Sequence, residues 1–172
     1  MATSVTLTNL ESEAYNNIFS VIDTRSNVGD PRDPSGTRNR VFVYDSDPFH
    51  KGLNFNLMPY IVLNLPTIEQ DRVSSDGKYK FVMWTQRLLV RTVRTGSSGG
   101  GTTDTGRTDI FAIGNDLFET FNSETVKTTL RNNNLGNMEL TKVNSSVGVI
   151  DEQDVYEAEY ELIYQTRMRV SN

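Results

Sequence analysis

The sequence predicts an α/β fold of the α+β kind: a mostly antiparallel sheet with long strands, packed against two amphipathic helices. Three observations carry this reading. Apolar residues recur at spacings of three and four over 7–22 and again over 110–121, which lines one face of a helix. Residues 155–170 alternate apolar and charged with a period of two, the pattern of a half-buried strand. Ser74-Ser75-Asp76-Gly77 is a hairpin signal, and a run free of Gly and Pro follows it from Lys78 to Arg94.

Taken in order, the first helix carries Leu7, Leu10, Ala14, Ile18, Val21 and Ile22 on one face, and Thr8 with Glu11 forms a capping box. Residues 23–39 read as a loop, because Pro31 and Pro34 break helices and Gly29 and Gly36 permit turns. Its length predicts a segment that is mobile or held by a partner. Arg40–Tyr44 is a short β-run, 45–59 is turn-rich, and Tyr60–Leu65 is a strand stopped by Pro66. Lys78–Arg94 is rich in β-branched and aromatic residues and reads as one very long strand. Residues 95–107 are Gly-, Ser- and Thr-rich and read as flexible. The second helix places Ile110, Ile113, Leu117, Phe118 and Phe121 on one face, with Thr108 as its cap. Ser123 caps a short further segment through Val126 and Leu130, which the run Asn132–Asn134 ends. Met138–Val143 is a strand. In the last strand Tyr156, Ala158, Tyr160, Leu162, Tyr164, Thr166, Met168 and Val170 form one face, and a mostly charged set forms the other.

The chain has 172 residues, the length of one domain. We read 1–172 as a single domain with flexible loops at about 23–39 and 95–107. A net charge of −5 argues against an autonomous nucleic-acid-binding module. The absence of cysteine removes disulfides, thiolate metal sites and thiol nucleophiles together. A single histidine, His50, allows no multi-histidine metal site. No apolar run approaches the ~18 residues of a membrane span, and the N-terminus lacks the basic start and apolar core of a signal peptide. The expectation is a soluble intracellular protein that is not an enzyme and needs no cofactor, metal or membrane.

Two strands of this length raise a question of space. Sixteen residues at about 3.3 Å span roughly 53 Å, whereas a domain of this size is about 40 Å across. Either the strands project and pair with another copy of the chain, or bulges break them into ordinary ones. The charged face of the last strand is ordered, with Glu157, Glu159 and Glu161 first and Arg167 and Arg169 after. A head-to-tail ring could set one copy's acidic end against the next copy's basic end. Charges that discourage edge aggregation are the simpler alternative. Arg87, Arg91 and Arg94 before the Gly-rich loop, Gly99 and Gly100 within it, and Arg107 after it complete the candidate interface residues.

Gly101–Thr108 matches the phosphate-binding pattern G-x-x-x-x-G-K-[ST] except for Arg107 at the lysine position, and Val147–Asp151 could pass for a second nucleotide motif. Asp104 would place a carboxylate in the phosphate cradle, and the element order is not that of an alternating α/β sheet. A flexible loop is the better reading, and a small nucleotide-binding enzyme is the distant alternative. His50 near Asp45 and Asp47, and the acidic group Asp151, Glu152 and Asp154, read as turns and solvated charges rather than catalytic or calcium sites.

The stretches SEAYNNIFSVID, TDIFAIGNDLFETF and DVYEAEYELIYQTRMRV, in this order around a long hairpin, resemble the tail-terminator (tail-completion) proteins of long-tailed bacteriophages and related viruses. The likeness is one of element order, length and polarity. It implies a ring, usually a hexamer, that caps the tail tube and meets the neck or head connector. Partners would be further copies of the chain, the tail-tube protein and the neck protein, with genomic DNA passing through the lumen without specific binding. The loops would reach the lumen or the adjoining ring. The location would be the virion tail or neck, and the host cytoplasm during assembly. Another neck or tail-tube component, or a cellular adaptor domain, are the alternatives.

Overall fold

The computed structural model describes residues 7–24, 27–32, 42–45, 58–74, 77–94, 105–150 and 153–169. The elements are α1 (Leu7–Ile22), β1 (Phe42–Tyr44), β2 (Tyr60–Leu63), β3 (Thr67–Val73), β4 (Tyr79–Val93), α2 (Thr105–Asn122), α3 (Glu124–Asn132), β5 (Leu135–Ile150) and β6 (Gln153–Arg169). The strands form one six-stranded sheet in the order β1-β2-β4-β6-β5, with β3 also on β4. Every pairing is antiparallel except β1 with β2. The α+β architecture with a mostly antiparallel sheet is therefore as the sequence predicts.

Strands β4 and β6 are the spine. They pair from Tyr79↔Arg169 to Val93↔Val155 without one register shift. Neither is broken by a bulge within this pair, so the broken-strand alternative does not describe it. β2 and β3 lie end to end along the other edge of β4, opposite Leu88–Arg91 and Lys80–Thr85 respectively. Pro66 lacks a ladder donor and separates the two, and the Gln86 side chain bridges the gap by donating Nε2–H to Asn64 O at 2.7 Å. Gly77 closes the β3–β4 hairpin at φ +69°, a conformation that favours glycine, with its N–H on Ser74 O at 2.9 Å. β3 itself, TIEQDRV, is a strand that the polar sequence did not announce.

The helices cover one face. Ala14, Ile18 and Ile22 of α1, Ile113 and Leu117 of α2, and Leu130 of α3 meet Val82, Trp84, Leu88, Val90, Tyr160, Leu162 and Tyr164 in a single apolar cluster. Each large side chain so buried contributes about 1.5–3 kcal/mol. The polar groups within this layer are matched. Trp84 Nε1–H donates to Thr166 Oγ1 at 2.8 Å, and the Tyr164 hydroxyl donates to Gln86 Oε1 at 3.2 Å. Burial pushes the Tyr160 and Tyr164 hydroxyls above the usual phenol range, with the Glu11 carboxylate adding to the effect at Tyr164. A smaller cluster on the opposite face holds Met58, Tyr60, Val62, Val93 and Val155.

Several boundaries differ from expectation. α1 begins at Leu7, so Thr8 lies in its first turn rather than before it. α2 begins at Thr105, so Thr105–Arg107 is helix and not flexible loop. Asp23 and Thr24 follow α1 directly, and residues 27–32 of the expected loop are held along α2. There Gly29 N–H donates to Asp116 Oδ2, Thr120 Oγ1 donates to Asn27 O, and Arg32 Nε donates to Asp109 Oδ2 at 2.6 Å. Residues 33–39 and 95–104 lie outside the described residues. β5 runs from Leu135 to Ile150, far past the expected Met138–Val143. No helix of the described residues is long and apolar enough to cross a membrane.

Candidate functional site

The candidate charges gather on the sheet face away from the helices. Alternation along β4 and β6 puts Arg87, Arg91, Glu157, Glu159 and Glu161 on that face together, because opposed residues of an antiparallel pair share a side. Arg91 Nε donates to Glu157 Oε1 at 2.6 Å, and its Nη1 donates to the Tyr60 hydroxyl at 3.2 Å. Arg87 Nη1 donates to Glu159 Oε1 at 3.2 Å, one step diagonal to Glu161, its partner in register. Arg94 Nη1 donates to Asp154 Oδ2 at 3.0 Å. Arg167 lies 3.8 Å from the centre of the Tyr79 ring. Arg169 is opposite Tyr79 in register. These contacts are cross-strand pairs within one chain, whereas the sequence suggested a match between neighbouring copies. Their chief effect is to set the β4–β6 register. The more exposed ones contribute little stability, about 0–1 kcal/mol each.

The start of α2 answers the phosphate-loop question in part. Thr92 Oγ1–H donates to Gly106 O at 2.6 Å, and a Cβ on Gly106 would lie 2.6 Å from Val93 O. The second glycine of the near-motif is thus where the helix meets the end of β4, backbone against backbone. Arg32 reinforces that junction, since its guanidinium also donates to Val93 O and Met58 O. Val147–Ile150 lies in β5, the border strand of the sheet, with Val147 near Arg107 of α2's first turn. Among the described residues no group of three His, Cys, Asp or Glu could hold a metal ion.

Among the described residues the longest exposed stretch is the outer half of β5. Every residue from Thr141 to Val149 is exposed. Two register shifts, at Gly136/Glu139 and Lys142/Asn144, separate it from the regular start of the strand, after which Asn144–Ile150 pairs evenly with β6. Beside it, between β5 and the first turns of α2, lies a groove of about 500 Å³ lined by Arg107, Phe111, Lys142, Val147 and Tyr156 among others. Lys142 Nζ sits 5.5 Å from the centre of the Phe111 ring. The groove sets Arg107 and Lys142 beside apolar surface, with Glu157 also in its lining.

Arg107 and Glu157 are the sequence-derived candidates that line this groove. Gly99, Gly100 and His50 lie outside the described residues. The sequence reading missed Phe111, Lys142, Val143, Val147 and Val149. A signal was available for the last three: valines at 143, 147 and 149 among small polar residues, with no charge between Lys142 and Asp151. Trp84, expected in core or interface, is core. No protein-family model and no curated protein matches this chain.

Proposed function

We propose that this protein is a structural subunit of a virion, a tail terminator that closes into a ring over the last ring of the tail tube and presents its other face to the neck. The observation that carries this reading is the outer half of β5. It is a long border strand exposed along nine consecutive residues, Thr141–Val149. Large exposed strands with apolar side chains are uncommon in chains that remain monomeric. The charged face of β4 and β6 supplies a surface for matching tube or neck by complementarity.

The test is solution mass by light scattering across a concentration series, with negative-stain images, for the chain alone and with tail-tube protein of the same virus. The expected result is closed rings of fixed size that seat on tube ends and stop tube growth. Open filaments from the chain alone would replace this reading with that of a tube component. A chain that neither forms rings nor alters tube length would end it. Deleting residues 95–104, and leaving the helical Thr105–Arg107 intact, should preserve the fold and impair joining of tails to heads.

A further inference from the structure

The open face of the β4–β6 pair holds charges that the chain itself leaves over. Arg87 and Arg91 take Glu159 and Glu157. Glu161 and Glu139 stand opposite Arg87 and Ile163 in register and so share that face. Neither has an ion pair among the described residues. Further along β6, about 20 Å from Glu161, Arg167 also lacks one and lies against the Tyr79 ring. Beside Arg167 opens a cavity of about 230 Å³, lined by Arg131 and Gly136 among others. The described partner of Arg131 is the exposed Glu124, at 3.9 Å. Gly136 leaves the cavity open, since a Cβ there would meet nothing within 4 Å. Between the acidic patch and the basic cavity, Met83 and Ile163 lie half-buried on the same face. This stretch is clear of the smaller apolar cluster, which sits at the Val93–Val155 end.

We propose that this face pairs two copies of the chain back to back, each seating Glu161 and Glu139 on the partner's Arg167 and Arg131. The occupant follows from the order of charges, which is complementary to its own reverse. A two-fold axis perpendicular to the strands, at the level of Trp84 and Tyr164, reverses strand direction and lays each strand over its own counterpart. It sets Glu161 over the partner's Arg167 and Ile163 over the partner's Gln165. Arg87 comes over the partner's Phe81, where cation and ring face attract. On β5, Glu139 comes over the partner's Gly136, which lines the cavity with Arg131. Sheets packed face to face stand about 10 Å apart, a gap that facing Glu and Arg side chains span. The charges that meet are opposite in sign, and the centre between them is apolar. Such a contact is isologous and closes a pair, so a ring needs a second, heterologous contact elsewhere. Where the ring reading holds, the pair separates when tube or neck takes up this face.

The chain has no cysteine, so Gln165→Cys is a clean reporter close to the axis. Treated with a short flexible bis-maleimide and resolved by denaturing electrophoresis, it should give a covalent dimer and nothing larger. In that background Glu161→Arg alone, or Arg167→Glu alone, should cut the dimer yield about tenfold, because like charges then meet twice. An equal mixture of the two should restore the yield, since opposite charges meet again at both contacts. Both positions lie on the sheet surface, so circular dichroism should stay that of wild type. Glu139→Lys, on the border strand, is an independent probe and should lower the yield as well. Monomer at every concentration from Gln165→Cys would overturn the proposal. So would an unchanged yield in the single variants, or a mixture no better than either alone. Rings that seat on tubes without the covalent dimer would keep the ring reading and end this contact. A dimer from a protein that never forms rings would keep the contact and end the ring reading.

Discussion

Strand β6 has two long neighbours, and they are held to it by different physics. On the β4 side the register is unbroken, the helices cover one face, and buried Trp84, Gln86, Tyr164 and Thr166 satisfy one another's polar groups. On the β5 side two register shifts interrupt the ladder, and every residue from Thr141 to Val149 is exposed. Backbone hydrogen bonds are common to both. Both strands of the first pair bury side chains, whereas in the outer half of the second only β6 does. A ladder alone contributes modest net stability, because its groups exchange water for one another. The β4–β6 half therefore holds the fold, and the outer half of β5 adds little to it.

Substitutions can break that contrast. The largest effect is expected at Trp84→Ala, which empties the centre of the covered face and strips Thr166 of its indole partner. A loss of about 3–5 kcal/mol in urea unfolding is expected, and a loss under about 1 kcal/mol would mean the core lies elsewhere. Asp109→Ala should come next, at about 3 kcal/mol, because it leaves the Arg32 guanidinium at the α2–β4 junction without its carboxylate. The same urea titration reads it, and near-neutrality would show that the 27–32 segment is not pinned as described. Gly106→Ala should cost about 1–3 kcal/mol, since its Cβ must displace the Val93 backbone or the helix start. A neutral result in thermal unfolding would show that the junction has room. Smallest is Val149→Ser on the open border, expected within about 0.5 kcal/mol for the dilute chain. A large loss there would erase the contrast between the two halves.

The parts that were legible in the sequence are those where burial repeats along the chain. The i, i+3, i+4 apolar pattern located α1 and α2, and the Ser123 segment located α3. Sixteen residues of alternation located β6 and its inward face, where Ala158, Tyr160, Leu162, Tyr164 and Thr166 are all buried. Asp76-Gly77 located the hairpin. β3 and the outer half of β5 were not legible, because neither buries a face and so neither carries a period. The pinned 27–32 segment was hidden for another reason. Arg32 and Asp109 stand 77 residues apart, and nothing local tells a loop arginine which carboxylate it will meet. The charged face of β6 was legible from its alternation, and Arg91 and Arg87 of β4 meet Glu157 and Glu159 across the strand pair, a match between elements that no local pattern announces.

The sequence by itself determined which segments are helix, which are the spine strands, and which side of each faces the core, since these follow from side-chain period and turn chemistry acting over short distances. Only the tertiary structure decided that β3 and β5 become opposite borders of one sheet and that the exposed valines and Ile68 fall on those borders. It also decided that Gly106 seats a helix on the end of a strand. Those outcomes depend on contacts between residues far apart in the chain, and such contacts form only when the sheet order and register are set by the whole fold.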